Sequence, residues 1–193
     1  MKRRVIFLLA AILLASLAAT TNAALVEWPA SQGGNGHFYE AVAVSQPITW
    51  SAANIAAQSA GGYLVTITSQ AENSFVFSLI DDPIYWYSGY NLRGPWIGGY
   101  QPPGSPEPDG GWSWVTGEPF VYSNWDAAQP NESNNNNENR IHFGNRPYRT
   151  PTWNDVPENF PEIKAYVVEI PEPATLLLLG LSGLLLLRKR ENY

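Results

Sequence analysis

Two histidines, His37 and His142, and no cysteine stand in this chain of 193 residues, so nucleophilic and metal-hydrolytic chemistry have few bases to work with. His37 opens an apolar stretch. His142 lies in the alternating run Arg140-Ile141-His142-Phe143, where a strand histidine is expected as a satisfied surface or core residue. Glu158 and Glu162 could flank a glycosidic bond as paired carboxylates, but the Pro-rich segment around them gives no sign of that geometry. Gly180-Leu181-Ser182-Gly183 sits inside a leucine-rich apolar run, where Gly and Ser serve helix packing rather than nucleophilic attack. The expectation is therefore a binding protein and not an enzyme. Aromatic rings offer binding chemistry instead. Trp125, Tyr148 and Trp153 are candidate stacking platforms, Tyr148 the most loop-like, with core packing the stronger expectation for the two Trp.

The elements that must position such groups lie between two unlike ends. Lys2, Arg3 and Arg4 precede an apolar run of 15 residues from Val5 to Ala19, and Thr21-Asn22-Ala23 supplies a cleavage-like site. That pattern predicts a secretory signal peptide over 1–23, removed by signal peptidase, because the run is shorter than the ~20 residues of a spanning helix. At the other end, Pro171-Glu172-Pro173 leads into 14 uncharged residues from Ala174 to Leu187 and then Arg188-Lys189-Arg190. As a helix this run spans about 21 Å, short for a stable solitary anchor, and the basic cluster would stay on the cytoplasmic side.

A linker over 24–35 and one domain over 36–170 remain. From Ala24 to Ile170 there are five basic and fifteen acidic residues, a formal charge of −10, which argues against nucleic acid as a partner. The absence of cysteine leaves packing as the source of stability in an exported domain. All eight Trp and nine of the ten Tyr fall there, enough for a β-rich core.

Within the domain, His37 to Ser45 reads as an opening strand and Thr49 to Ala60 as a helix with Trp50, Ala53, Ile55, Ala56 and Ala57 on its apolar face, stopped by Gly61-Gly62. Tyr63 to Ile67 reads as a short strand, and Ser69-Gln70-Ala71-Glu72 as a capping box opening a second helix to Ile80. Beyond Asp81, Pro and Gly recur, and Trp96 to Gly99, Trp112 to Trp114 and Ala165 to Ile170 are the strand candidates. The stretch from Pro119 to Pro161 is far longer than an ordinary connection, which marks it as functional.

The order of these features, with Asn124-Trp125, Gln129-Pro130-Asn131, Glu138 and Trp153-Asn154-Asp155 between the Trp-x-Trp strand and a closing Tyr166-Val167-Val168-Glu169, resembles the C-type lectin-like domain from about Gly36 to Ile170. The resemblance implies an α+β, C-type lectin-like fold: two helices with short antiparallel sheets and a long irregular loop region, here cysteine-free. The family's half-cystines would fall near Ala57, Arg140 and Val168. Ala57 and Val168 can pack together, whereas Arg140 is expected at the surface or paired with a carboxylate.

The resemblance also implies a calcium-dependent sugar site. It carries over onto Gln129, Asn131, Glu138, Asn154 and Asp155 as metal and ligand-binding residues, with Tyr148 as a further ligand contact and Pro130 expected in the cis form. Ca²⁺ takes six to eight hard oxygen ligands, and only Glu138 and Asp155 bring charge, so a weak site near ~10⁻⁴–10⁻³ M is expected. The mannose-type triplet of the family is Glu-Pro-Asn and the galactose-type is Gln-Pro-Asp, and Gln129-Pro130-Asn131 mixes the two. The alternative is that these are turn-forming residues, as Asn134 to Asn137 are expected to be, and that the domain is a calcium-independent protein-interaction or matrix-assembly scaffold.

The ending, Pro171, Glu172 and Pro173 with the apolar run and basic cluster over 171–193, resembles the PEP-CTERM sorting signal. That implies transient membrane insertion, processing by an exosortase, and a place at the cell surface, in the outer membrane or outside a Gram-negative bacterium, with extracellular polysaccharide as the expected partner. In that setting the Asn131-Glu132-Ser133 sequon is not expected to be used.

Overall fold

The computed structural model describes residues 21–22, 24–89, 92–133, 137–145 and 147–172. Nearly all of the expected signal peptide, Asn134 to Asn136, Pro173, the apolar run from Ala174 and the basic cluster lie outside the described residues. Among those described, no helix is long and apolar enough to cross a membrane.

Two side-chain caps start the two helices. Thr49 Oγ1 accepts from the backbone N–H of Ala52 at 3.2 Å, and Ser69 Oγ from that of Glu72 at 3.1 Å, each satisfying a donor that a first helical turn leaves unpaired. Helix α1 runs Trp50–Ser59 and α2 runs Gln70–Ile80. Glu72 reaches back as a capping box requires, but to Thr68 rather than to the cap: Oε2 accepts from Thr68 N–H at 2.7 Å and from Thr68 Oγ1 at 2.9 Å. Helix α1 buries Trp50, Ala53 and Ala57, one stripe at helical spacing. Ile55 is not part of it. Its side chain is 64% exposed, because five steps at about 100° each carry it well around the helix from Trp50.

The strands are β1 (Thr21–Asn22), β2 (Val26–Glu27), β3 (Phe38–Ala43), β4 (Tyr63–Leu64), β5 (Tyr87–Ser88), β6 (Leu92–Tyr100), β7 (Ser113–Trp114), β8 (Arg140–Asn145), β9 (Trp153–Val156) and β10 (Ala165–Ile170). They form one sheet in the order β1-β3-β10-β6-β8-β9, with β2 beside β3, β4 beside β10, and β5 and β7 beside β6. The named strands pair antiparallel except at one joint. Strands β10 and β6 run parallel and meet at Tyr166 and Trp96, which merges two antiparallel groups into one mixed sheet.

Close approach at this joint explains the glycine pair that follows Trp96-Ile97. The Gly98 N–H donates to the Val65 carbonyl at 2.9 Å, and a Cβ on Gly98 would stand 2.5 Å from the Leu64 carbonyl oxygen. A Cβ on Gly99 would stand 2.2 Å from Ile141 Cδ1, so neither position has room for a side chain.

Two buried clusters fill the interior. One gathers Trp50, Ala53, Ala57, Leu64, Trp96, Tyr166 and Val168, and the other centres on Tyr39, Val65, Trp86, Trp114, Phe143 and Trp153. Ala57 and Val168 pack in the same cluster, as expected where the family has cysteines. Arg140 is paired with a carboxylate: its Nη2 lies 3.1 Å from Glu158 Oε2, with the guanidinium 4.7 Å above the Trp50 ring.

Candidate functional site

An aromatic stack sets the path of the long loop. Trp125 packs 4.9 Å from Trp112 and 5.9 Å from Trp153, and Phe120 sits 5.0 Å from Trp114. Trp125 and Trp153 thus serve the core. Backbone bonds fix the loop beside β9: Trp153 N–H donates to the Asn124 carbonyl and Asp126 N–H to the Trp153 carbonyl, both at 2.8 Å. From there the chain turns through Ala128, which has a left-handed φ of 65°, to the cis Gln129–Pro130 bond. A non-glycine residue in that region costs of order 1 kcal/mol, and such strain concentrates at functional loops.

This turn delivers Asn131 to Asp155. The Asn131 backbone N–H lies 3.1 and 3.0 Å from the two Asp155 carboxylate oxygens. Asn131 Nδ2 donates to Gln129 Oε1 at 2.5 Å and to the Ala128 carbonyl at 3.3 Å. Asn154 faces His142 across the β8–β9 pair, and its Nδ2 reaches His142 Nε2 at 3.3 Å and the Asp155 carbonyl at 2.9 Å. Burial lowers the pKa of His142 to about 3, so the ring is neutral. Its Nδ1 lies against the Phe143 carbonyl and its Nε2 against the Asn154 amide, the ring also meeting the Gly94 carbonyl. Both asparagine amides therefore spend their N–H groups inside the protein, and among the described residues neither Oδ1 accepts a hydrogen bond.

The charges of the cluster come from Asp155 and Glu138. Burial pushes the Asp155 pKa up to about 7 against the pull of the Asn131 N–H, and the charge of Glu138 adds to the rise. Glu138 is also raised by burial, offset by the Ser133 N–H, which donates at 3.0 Å. Glu132 accepts from the backbone N–H groups of Asn137 at 2.6 Å and Glu138 at 3.3 Å.

Hydrogen bonds thus link Gln129 to Asn131 and Asn131 to Asp155, Asn154 is held by His142 and the Asp155 backbone carbonyl, and the charge of Glu138 bears on Asp155 with no described bond between the two. Tyr148 stands apart in the turn before β9, 72% exposed, with no described bond to these five.

The donor set is amide and carboxylate oxygen throughout, which suits a hard cation such as Ca²⁺. Among the described residues no group of three His, Cys, Asp or Glu side chains could hold a metal ion, so any ion here depends on the amide oxygens. Glu158 and Glu162 each face an arginine. Glu158 is tied to Arg140, and Glu162 lies 3.6 Å from Arg93.

A second polar cluster was not expected from the sequence. Trp28, Gly33, Gly34, Asn35, His37, Thr68, Ser69, Glu72, Glu118 and Glu169 line a cavity of about 290 Å³. Glu169, 2% exposed, accepts from His37 Nδ1 at 2.7 Å and from the Thr66 N–H at 3.0 Å. Tyr39 Oη bridges to Glu72 at 2.8 Å. Burial raises the Glu169 pKa. The capping-box pattern pointed to Glu72, but nothing local marked Glu169 as buried.

Comparison with known proteins agrees with this architecture. The PEP-CTERM protein-sorting motif matches residues 169–190, consistent with export of a lectin-like binding domain. Lithostathine of Rattus norvegicus is 36% identical over 88 residues, which cover 45% of this chain and 48% of that protein. The chain spans about half the length of the curated relatives it matches. The structure of the C-type lectin CEL-I from Cucumaria echinata superposes with a TM-score of 0.54 at 22% identity, covering 70% of this chain and 91% of that one. A calcium-independent type II antifreeze protein superposes with a TM-score of 0.53 at 22% identity, covering 77% and 97%. At such identities the likeness establishes the fold alone. The lectin C-type domain profile matches residues 46–162, more than half of the chain, through both helices, β6 to β9 and the polar loop, and the chain belongs to the lectin C-type domain family.

Proposed function

We propose that the domain binds carbohydrate outside the cell at the cluster of Gln129, Asn131, Glu138, Asn154 and Asp155, assisted by a weakly held Ca²⁺. What supports this reading is that Asn131 and Asn154, near the buried Asp155 carboxylate in bonding or in sequence, spend their amide N–H groups within the protein and would leave their amide oxygens to a ligand. Those oxygens, Gln129 Oε1 and the carboxylates of Asp155 and Glu138 would hold the ion, and a bound Ca²⁺ would add vacancies for sugar hydroxyls. His142 and the Asn131 N–H orient the ligands, and Tyr148, exposed nearby in sequence, would offer a ring face to the sugar. Family membership supports carbohydrate binding, and CEL-I is itself a lectin of this fold.

One observation favours a second reading. Asp155, Glu138 and Glu132 already accept from the backbone N–H groups of Asn131, Ser133 and Asn137, so their oxygens serve the protein's own backbone. A calcium-independent interaction domain on the same fold follows from that, and a neighbour described as calcium-independent shows that the fold permits it. A glycan array probed with the domain in millimolar calcium and in EDTA separates the two. Binding that disappears in EDTA supports the first, and binding unchanged by EDTA supports the second.

Processing belongs to the same proposal. The PEP-CTERM match implies an exosortase acting near Pro171, Glu172 and Pro173, with a membrane-inserted precursor and release or transfer to the cell surface. Extracellular polysaccharide is the natural carbohydrate in that setting. The division into signal peptide over 1–23, linker over 24–35, domain over 36–170 and sorting segment over 171–193 belongs to this reading.

A further inference from the structure

The turn between β2 and β3, residues 28–37, closes over the second polar cavity. Its backbone is tied by Trp28 N–H donating to the His37 carbonyl and Gly36 N–H to the Trp28 carbonyl, both at 2.9 Å. Trp28 anchors the turn on helix α2, stacked 5.5 Å from Phe75. The polar side chains of the turn meet one carboxylate on strand β10. Glu169 Oε1 lies 2.7 Å from His37 Nδ1 and accepts from Asn35 Nδ2 at 3.3 Å.

Protons are scarce around that carboxylate. Glu72 and Glu169, 3% and 2% exposed, both reach the Tyr39 hydroxyl, at 2.8 and 3.3 Å. Burial first, then the charges of Glu169 and Glu72, raise the Tyr39 pKa, so the phenol keeps its one proton and gives it to the nearer Glu72. Glu169 is left with the Thr66 N–H at 3.0 Å, the Asn35 amide and a bond to Tyr63, all of them neutral. The charges of Glu72 and Glu118 stand around the same cluster, and Glu172 lies over Gly36 in the turn. The cavity lining includes His37 and no lysine or arginine. In that lining, His37 alone can set a positive charge against Glu169.

We propose that the turn over 28–37 is a pH-sensitive latch on the cavity, closed while the His37–Glu169 pair holds an extra proton and loosened when that proton leaves. Burial raises the Glu169 carboxyl above its ordinary 4.5, the His37 bond and the Thr66 N–H pull it down, and the charge of Glu72 adds to the rise. A carboxyl raised in this way keeps a proton in the folded state that the unfolded chain has released. The stability it lends is full below pH 4.5 and is lost as pH rises through the raised value. With the proton gone, a buried carboxylate beside Glu72 is met by neutral donors only. A hydrogen bond with a charged partner outweighs a neutral one by a margin worth about tenfold in an equilibrium constant, and the turn opens more often by that factor.

The test is amide hydrogen exchange of the full chain in mild detergent from pH 5 to pH 8, each rate divided by the intrinsic rate at that pH. Protection of the peptide 26–38 is read against that of 112–117, where the Val115 N–H donates to the Gly98 carbonyl. This ratio removes any loss shared by the whole domain, and it is expected to fall about tenfold across the range. His37→Gln keeps an N–H for Glu169 and can never be charged. Its ratio is expected about tenfold below that of the unaltered chain at pH 5 and level with it at pH 8. Glu169→Gln removes the titrating carboxyl, and its ratio is expected to stay level throughout. A level ratio in the unaltered chain would overturn the proposal. So would a His37→Gln profile that matches the unaltered chain at pH 5, or a Glu169→Gln ratio that falls as far as that of the unaltered chain.

Discussion

Replacing Asp155 with Asn should make the metal-free domain more stable at alkaline pH. Asp155 is 1% exposed, and its pKa stands at about 7 against an ordinary 3.8, raised first by burial. The unfolded chain thus releases this proton near pH 4 and the folded domain near pH 7. Between those values the folded state binds more protons, so stability falls as pH rises through the window. The difference corresponds to a loss of up to about 4 kcal/mol at 1.36 kcal/mol per decade. Asn keeps an oxygen for the Asn131 N–H and carries no charge, so Asp155→Asn removes this loss. Thermal melts in EDTA across pH 4 to 8 would show the variant level with the unaltered domain at the acid end. At the alkaline end it would melt higher by about 8–16 °C, taking 2–4 °C per kcal/mol for a domain of this size. Parallel pH profiles for the two proteins, or a variant less stable at pH 8, would refute burial of an uncompensated charge at this position.

Three further substitutions probe the surroundings. Trp153→Ala removes a fully buried ring and the 2.9 Å bond from its Nε1 to Asn73 Oδ1; chemical denaturation should show a loss of about 3–5 kcal/mol, and a loss under 1 kcal/mol would mean that the stack does not anchor the loop. His37→Ala strips the 2.7 Å partner from Glu169 and should cost about 1–3 kcal/mol in the same assay, with no change counting against the buried network. Tyr148→Ala, at an exposed position, should leave the melting temperature unmoved within the range of ordinary surface changes while weakening glycan affinity. Unaltered affinity would remove Tyr148 from the site.

What was legible in the sequence was what is decided locally. Thr49 and Ser69 announce helix starts because a cap needs only its own side chain and an N–H three residues on. Trp96 and Ile97 mark strand β6 by composition, but the reason for the Gly98-Gly99 pair, close approach of Leu64 and Ile141, exists only in three dimensions. Apolar type misplaced Ile55, because helical phase rather than hydrophobicity decides which side chain faces inward. The burial of Glu169 is not legible locally because β10 is covered on both faces and shows no alternation, while its partner His37 is 132 residues away. The five candidate site residues were named as a set through family resemblance. Their internal bonds were not, since the contact of Asp155 with the Asn131 N–H depends on how Trp125 and Trp153 steer the loop.

The most direct test of the account is the thermal melt of residues 24–172 in 10 mM calcium against EDTA at pH 8. A ligand bound only by the native state stabilises it by RT ln(1 + [L]/Kd), which for a Kd of about 1 mM gives about 1.4 kcal/mol, or about 3–6 °C. That shift is expected, as is its loss in Asn154→Ala and Asp155→Ala. No shift at any calcium concentration, with both variants folded, would contradict calcium assistance and leave the calcium-independent reading in its place.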